Sequence, residues 1–156
     1  MTKTLFTSAI AATGLVAALG LSSGAQAEEA QVIELTQTPC QFVEVETGDH
    51  GYASTRKADC ETINAKSGAE RLAKSQTLKL KPGKYIFRVT NKNVPYDLGF
   101  YLRGSGIVNR ATLPSVSGGG LKPGVTKDYA ITLKSGEYVF SCPLNPTPDY
   151  NIQVDG

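Results

Sequence analysis

Apolar and polar residues alternate most clearly in "TLKLKPGKYIFRVTN", residues 77–91. Leu78 and Leu80 precede a Pro82-Gly83 turn, and Tyr85, Phe87 and Val89 then recur at period two before Asn91. That spacing puts three large side chains on one face of a strand. "YDLGFYLRG" (96–104), "DYAITL" (128–133), "GEYVFSC" (136–142) and "YNIQV" (150–154) read as further strands, each followed by a turn or loop signal. Earlier, "QVIELT" (31–36) reads as a first strand. "QFVEVE" (41–46) continues the alternation, with Phe42 on the face opposite Val43 and Val45. "LPSVSGGGLKPGVTK" (113–127) reads as a long loop, mobile at Gly118 to Gly120. The one helical stretch is "ADCETINAKSGAERLAKS" (58–75), with Asp59 as a cap, Ile63 and Leu72 on later turns, and Gly68 weakening its middle. Seven or eight short strands with turns every dozen residues predict an all-β antiparallel sandwich. Tyr85, Phe87, Phe100, Tyr129, Tyr138 and Phe140 are its expected core.

The first 27 residues follow a different pattern: Lys3, an apolar stretch from Ala9 to Leu21, and a small-x-small ending at Ala25-Gln26-Ala27. This is the form of a secretory signal peptide, and the apolar stretch is short for a membrane span. Residues 28–156 are then a single mature domain with one core and no membrane span of its own, expected in the periplasm. Losing Lys3 with the signal leaves 15 Lys and Arg against 14 Asp and Glu, a balance that implies neither a nucleic-acid partner nor a membrane surface.

Export changes the meaning of the three cysteines, Cys40, Cys60 and Cys142, because an oxidising compartment permits disulfides. Three is odd, so at least one thiol has no partner within the chain. Cys40 joined to Cys142 would close about 100 residues, and Cys40 joined to Cys60 about 20 residues while pinning the helical stretch. Residue counting leaves the pairing open. A blue-copper centre needs two His with the Cys, usually with a weak axial Met. His50 is the single histidine and Met1 the single methionine, so the mature chain lacks that ligand set. Catalysis finds no framework either: Ser141 and Cys142 have no second His as base, and the chain is read as a non-enzyme.

"LKPGKYIFRVTN", followed by a strand and then "LKPGVTKDYAITLKSGEYVFSC", resembles the cupredoxin family. The resemblance covers residues 76–156 with 31–42 as a first strand. It implies a Greek-key antiparallel sandwich, here with a short helical insertion at 44–75 after the first strand. The nearest pattern is the cupredoxin-like domain of EfeO-type periplasmic iron-uptake proteins, in which one cysteine follows the first strand and another ends the "GEY" strand, as Cys40 and Cys142 do. There two cysteines and carboxylates of the strand after the Asn form the proposed metal site; at that strand this chain offers Asp97. The resemblance therefore implies that Cys40 and Cys142 are neighbours. It also implies that the loop after the first strand, with His50 and Cys60, lies at the same end of the sandwich. Cys142, Cys40, His50 and Asp97 are the candidate metal ligands. Thiolate softness favours a copper ion, with iron or no metal as alternatives.

Two functions follow as expectations. One is copper or iron handling in the periplasm through the thiol end. The other is a metal-free accessory module with structural cysteines, whose "NPTP" loop and glycine-rich loop contact a periplasmic protein partner.

Overall fold

A computed structural model describes residues 29–156; the segment read as a signal peptide lies outside the described residues. Nine strands form two sheets. The first sheet holds β1 (Gln31–Thr38), β2 (Gln41–Phe42), β4 (Gly83–Asn91) and β7 (Thr126–Leu133), in the order β2-β1-β4-β7. The second holds β3 (Leu78–Leu80), β5 (Leu98–Gly104), β6 (Val116–Leu121), β8 (Gly136–Ser141) and β9 (Tyr150–Val154), in the order β3-β9-β8-β5-β6. Helix α1 (Lys57–Lys74) follows β2, and the short α2 (Gly106–Thr112) follows β5. The architecture is a two-sheet β sandwich, mixed rather than purely antiparallel: β1 runs parallel to β4, and β3 parallel to β9. Those two pairs join strands separated by crossovers, whereas neighbours such as β8 and β9 pair antiparallel.

The period-two reading holds where packing is two-layered. In β4 the inward residues Tyr85, Phe87, Val89 and Asn91 are buried and alternate with more exposed ones. Phe42, Phe100, Phe140 and Tyr150 meet across the layers, Phe42 lying 5.1 Å from Phe140 and 5.8 Å from Tyr150, both edge-on. All six aromatics expected in the core are buried there.

Three expectations are corrected. The alternation of "QFVEVE" stops after Phe42, because the chain turns so that Val43 N–H reaches back to the Thr36 carbonyl; Phe42 and Val45 then both enter the core. The glycine-rich loop is in part a strand: Val116–Leu121 pairs with β5, and Gly118 is where it passes over the Tyr129 ring, a Cβ there falling 2.9 Å from Tyr129 Cε1. Helix α1 is continuous through Gly68, and Asp59 serves it from inside the first turn, accepting from Thr55 N at 2.8 Å and Arg56 N at 3.2 Å.

The two ends of the sandwich differ in content. One, the turn end, carries "KPGKY" (81–85) and "KSGEY" (134–138), two turns closed in the same way. Tyr85 Oη donates to the Lys81 carbonyl at 2.9 Å, and Tyr138 Oη to that of Lys134 at 3.0 Å. Helix α2 also lies there, close to β5 because Gly104 is bare; a Cβ on it would strike the Asn109 carbonyl. The opposite end carries all three cysteines and the base of α1.

Candidate functional site

The cysteine end is organised by a bridge. Cys40 sits in the turn between β1 and β2 with φ of 69°, and Cys60 occupies the first turns of α1. They are joined as a disulfide, Cα atoms 4.9 Å apart, and both are fully buried. Of the two pairings left open by sequence, the shorter loop is the one made. Cys40 is therefore not available to Cys142 as a disulfide partner, and as a bridged sulfur it offers no thiolate to a metal. The physical reason is local: α1 lies against the β1–β2 turn, so Cys60 takes the position that the resemblance reserved for Cys142.

Cys142, following β8, is buried and unbridged. Its Sγ accepts from Gly99 N at 3.4 Å and Asn145 N at 3.3 Å, and its own N–H donates to Thr147 Oγ1 at 2.9 Å. Burial pushes the thiol above its ordinary value of 9.0, outweighing the amides that favour the thiolate. Gln37, also fully buried, donates from Nε2 to the Gly99 carbonyl at 2.8 Å and has its side chain against Cys142. Gln37 Oε1 lacks a hydrogen-bond partner among the described residues.

Asn145 ties the loop after Cys142 to the bridge. Its Oδ1 accepts from Cys40 N at 2.9 Å and lies 3.3 Å from Cys60 Sγ, while its Nδ2 donates to the Thr38 carbonyl at 2.9 Å. The prolines on either side, Pro143 and Pro146, stiffen the loop that holds it. Sequence reasoning missed Asn145 and Gln37. The only signal for Asn145 was a polar residue inside an otherwise proline-set loop.

His50 belongs to another group. Its Nε2 lies 2.8 Å from Glu46 Oε2, its side chain 41% exposed against 1% for Glu46. The Glu46 carboxylate also takes a two-pronged bond from Arg71, Nε and Nη2 each at 2.7 Å, and the Tyr150 hydroxyl. Arg71 Nη2 reaches the Cys40 carbonyl at 2.9 Å, and the guanidinium stands 4.9 Å over the Tyr52 ring. Burial works to lower Arg71, but the hydrogen bonds and charge of Glu46 outweigh it and the net direction is up. Tyr150 is raised by burial and then by the adjacent carboxylate. This buried ion pair fastens α1 to the sandwich, and neither partner was singled out in the sequence. Glu46 lay in an alternating stretch and Arg71 on a helix, positions that usually carry solvated charge.

Asp97 lies outside the strand expected to carry it: β5 begins at Leu98, and Asp97 is exposed. The four candidate ligands are thus not gathered. Cys40 is bridged, His50 is engaged by Glu46, Asp97 faces solvent, and Cys142 is alone and buried. Among the described residues no three His, Cys, Asp or Glu side chains are grouped to hold a metal ion. The donors do not fit copper in this bridged form, since a soft cation needs thiolate or imidazole donors free to turn toward it.

Above Cys142 lies an open groove of about 500 Å³. Pro143 and Leu144 form one wall, Gly118 and Gly119 of β6 the other, and Tyr101 and Ser117 line it as well. Leu144 is 43% exposed, an apolar side chain at the rim of a buried thiol. The groove takes in part of the glycine-rich stretch together with Pro143 and Leu144, whereas residues 145–148, the "NPTP" stretch expected to contact a partner, do not line it. Among the described residues no helix is long and apolar enough to cross a membrane.

No protein-family model matches the chain, and no curated protein matches it. Among solved structures, auracyanin B is similar at 14% identity and a TM-score of 0.49, over 84% of this chain and 93% of that one. A multicopper oxidase from Pediococcus acidilactici is similar at 13% identity and a TM-score of 0.38, over 82% of this chain and 27% of that one.

Proposed function

We propose that the chain is an exported, metal-free binding module that holds an extended segment of a protein partner in the groove above Cys142. The observation that carries this reading is the groove itself, with Leu144 on one wall and the bare backbone of Gly118 and Gly119 on the other. A concave strip with one apolar wall and one wall of accessible backbone suits an extended peptide, which brings both side chains and main-chain groups. The cysteines support the groove from beneath. The bridge fixes the β1–β2 turn, Asn145 fixes the loop bearing Leu144 to that turn, and the neutral thiol fills the space between.

Copper or iron handling in the periplasm is the second reading, and one observation favours it. Cys60 Sγ and Cys142 Sγ each lie 3.3 Å from an atom of Asn145, so the sulfurs share one small region. That reading requires the Cys40–Cys60 bridge to be reduced before any thiolate set exists.

A photo-cross-linking residue at position 144 separates the two. The binding module gives a discrete adduct with one protein, abolished by Gly119→Val. A Cβ at Gly119 meets nothing within 4 Å, so that change narrows the groove without disturbing the strand. Absence of any adduct, together with Cu(I) competition by the purified protein after reduction of its Cys40–Cys60 bridge that Cys142→Ser removes, would transfer the function to metal handling.

A further inference from the structure

The turn end carries a surface that the groove does not use. Helix α2 buries none of its seven residues, and its two adjacent apolar side chains, Ile107 and Val108, are 90% and 74% exposed. Ile107 also borders a shallow recess with Gly106, Arg110 and Ala111. The same end carries Lys79, Lys81, Lys84, Arg110 and Lys134, on α2, on β3 and on the two Lys-x-Gly-x-Tyr turns with their flanking strands. All five are exposed, and none takes part in an ion pair among the described residues. Elsewhere Arg56, Lys57, Arg71, Lys74, Arg88 and Arg103 are each matched to a carboxylate, while Lys66, Lys92, Lys122 and Lys127 are not. Glu29, Glu137 and Asp155 share the turn end, so the five cations exceed the carboxylates there.

The chain also enters the fold at this end. Gln31 stands opposite Tyr85 at the start of β4, so β1 begins beside these turns. An exposed apolar pair on an end with more cations than carboxylates is an arrangement that lowers side chains into a headgroup layer while the cations meet lipid phosphates.

We infer that the turn end docks on an anionic lipid surface, with Ile107 and Val108 entering the headgroup region and Lys81, Lys84, Arg110 and Lys134 facing lipid phosphate. The groove above Cys142, at the far end of the sandwich, is then held away from the bilayer. The inference stands independently of what the groove binds.

The chain has no tryptophan, which provides a local reporter. Full-length Ile107→Trp and, as the opposite-end control, full-length Leu144→Trp are mixed with vesicles of phosphatidylcholine containing phosphatidylglycerol and brominated acyl chains. The expected result is a blue shift and quenching for Ile107→Trp and neither for Leu144→Trp, even where residues 1–28 themselves attach the chain to the vesicle. Adding Lys81→Gln and Lys134→Gln to the Ile107→Trp chain should weaken the quenching interaction about 25-fold, about fivefold for each cation removed. An unshifted Trp at 107, equal quenching at 107 and 144, or equal response to pure phosphatidylcholine would each overturn the inference. So would a blue shift at 107 that rises with protein concentration without vesicles, which would assign the surface to a second copy.

Discussion

The two ends of this sandwich solve the same problem, fixing loops to a β core, by different means. At the turn end the loops are short and the fastening is local: a tyrosine four residues downstream returns to the lysine carbonyl in both "KPGKY" and "KSGEY". At the cysteine end the loops are long and the fastenings span the sequence. Asn145 reaches Thr38, 107 residues away, and Glu46 receives a hydrogen bond from Tyr150, 104 residues away. Local fastening leaves the surface free, and α2 can expose Ile107 and Val108. Long-range fastening consumes polar groups and sulfur, so the residues that look most reactive in the sequence are the most enclosed. A conspicuous side chain is thus no guide to chemistry until its partners are known.

The contrast is broken most severely at the buried ion pair. Arg71→Ala leaves the Glu46 carboxylate buried without its main partner and should cost about 3–5 kcal/mol in chemical denaturation. The loss should be accompanied by freer motion of α1, seen as faster amide exchange in residues 57–74. Replacing both bridge cysteines, Cys40→Ala with Cys60→Ala, comes next at about 3 kcal/mol, the scale expected for a loop of this size.

Both effects concern features that sequence reading reached only in part. The strands were legible because Tyr85, Phe87 and Val89 must alternate to face a second layer, and Asp59 marked the start of α1. Helix α2 was not, since "GIVNRAT" buries no side chain and so carries no apolar periodicity. β6 was hidden by Gly118 to Gly120, which look like a loop in sequence and work as a bare strand beside Tyr129. For the candidate site, the gathering of cysteines at one end followed from the resemblance. The pairing did not, because it depends on how α1 packs against the β1–β2 turn. Glu46 and Arg71 stayed invisible because charge at ordinary surface positions gives no hint of burial.

Cys142→Ser sharpens the contrast at smaller amplitude. A hydroxyl can keep the amide contacts of Gly99 and Asn145 but fills less space, and the cost should be about 1 kcal/mol by denaturation. Cu(I) competition should be unchanged. The pH dependence has a definite sign. The folded thiol is raised by burial, so folding holds the proton more tightly, and the stability this supports is full below pH 9.0 and lost as pH climbs through the folded value. The wild type should therefore lose more stability than Cys142→Ser above that pH, and the two curves should run parallel below it.

The smallest effects belong to the exposed apolar residues at each end. Ile107→Ser and Leu144→Ser should each stay within about 0.5 kcal/mol of wild type. Their consequences appear in binding alone, at the lipid surface for Ile107 and at the groove for Leu144. A large loss of stability from either would mean that the surface is covered in the free protein.

The central claim is that the cysteine end is a closed structural unit, with one bridge and one enclosed thiol. Thiol titration with an aromatic disulfide reagent, on protein purified without reductant, tests it directly. The prediction is no reactive thiol in the native state and one per chain in denaturant, with Cys142 carrying the label. Three thiols per chain, or one that reacts at once in the native state, would contradict it.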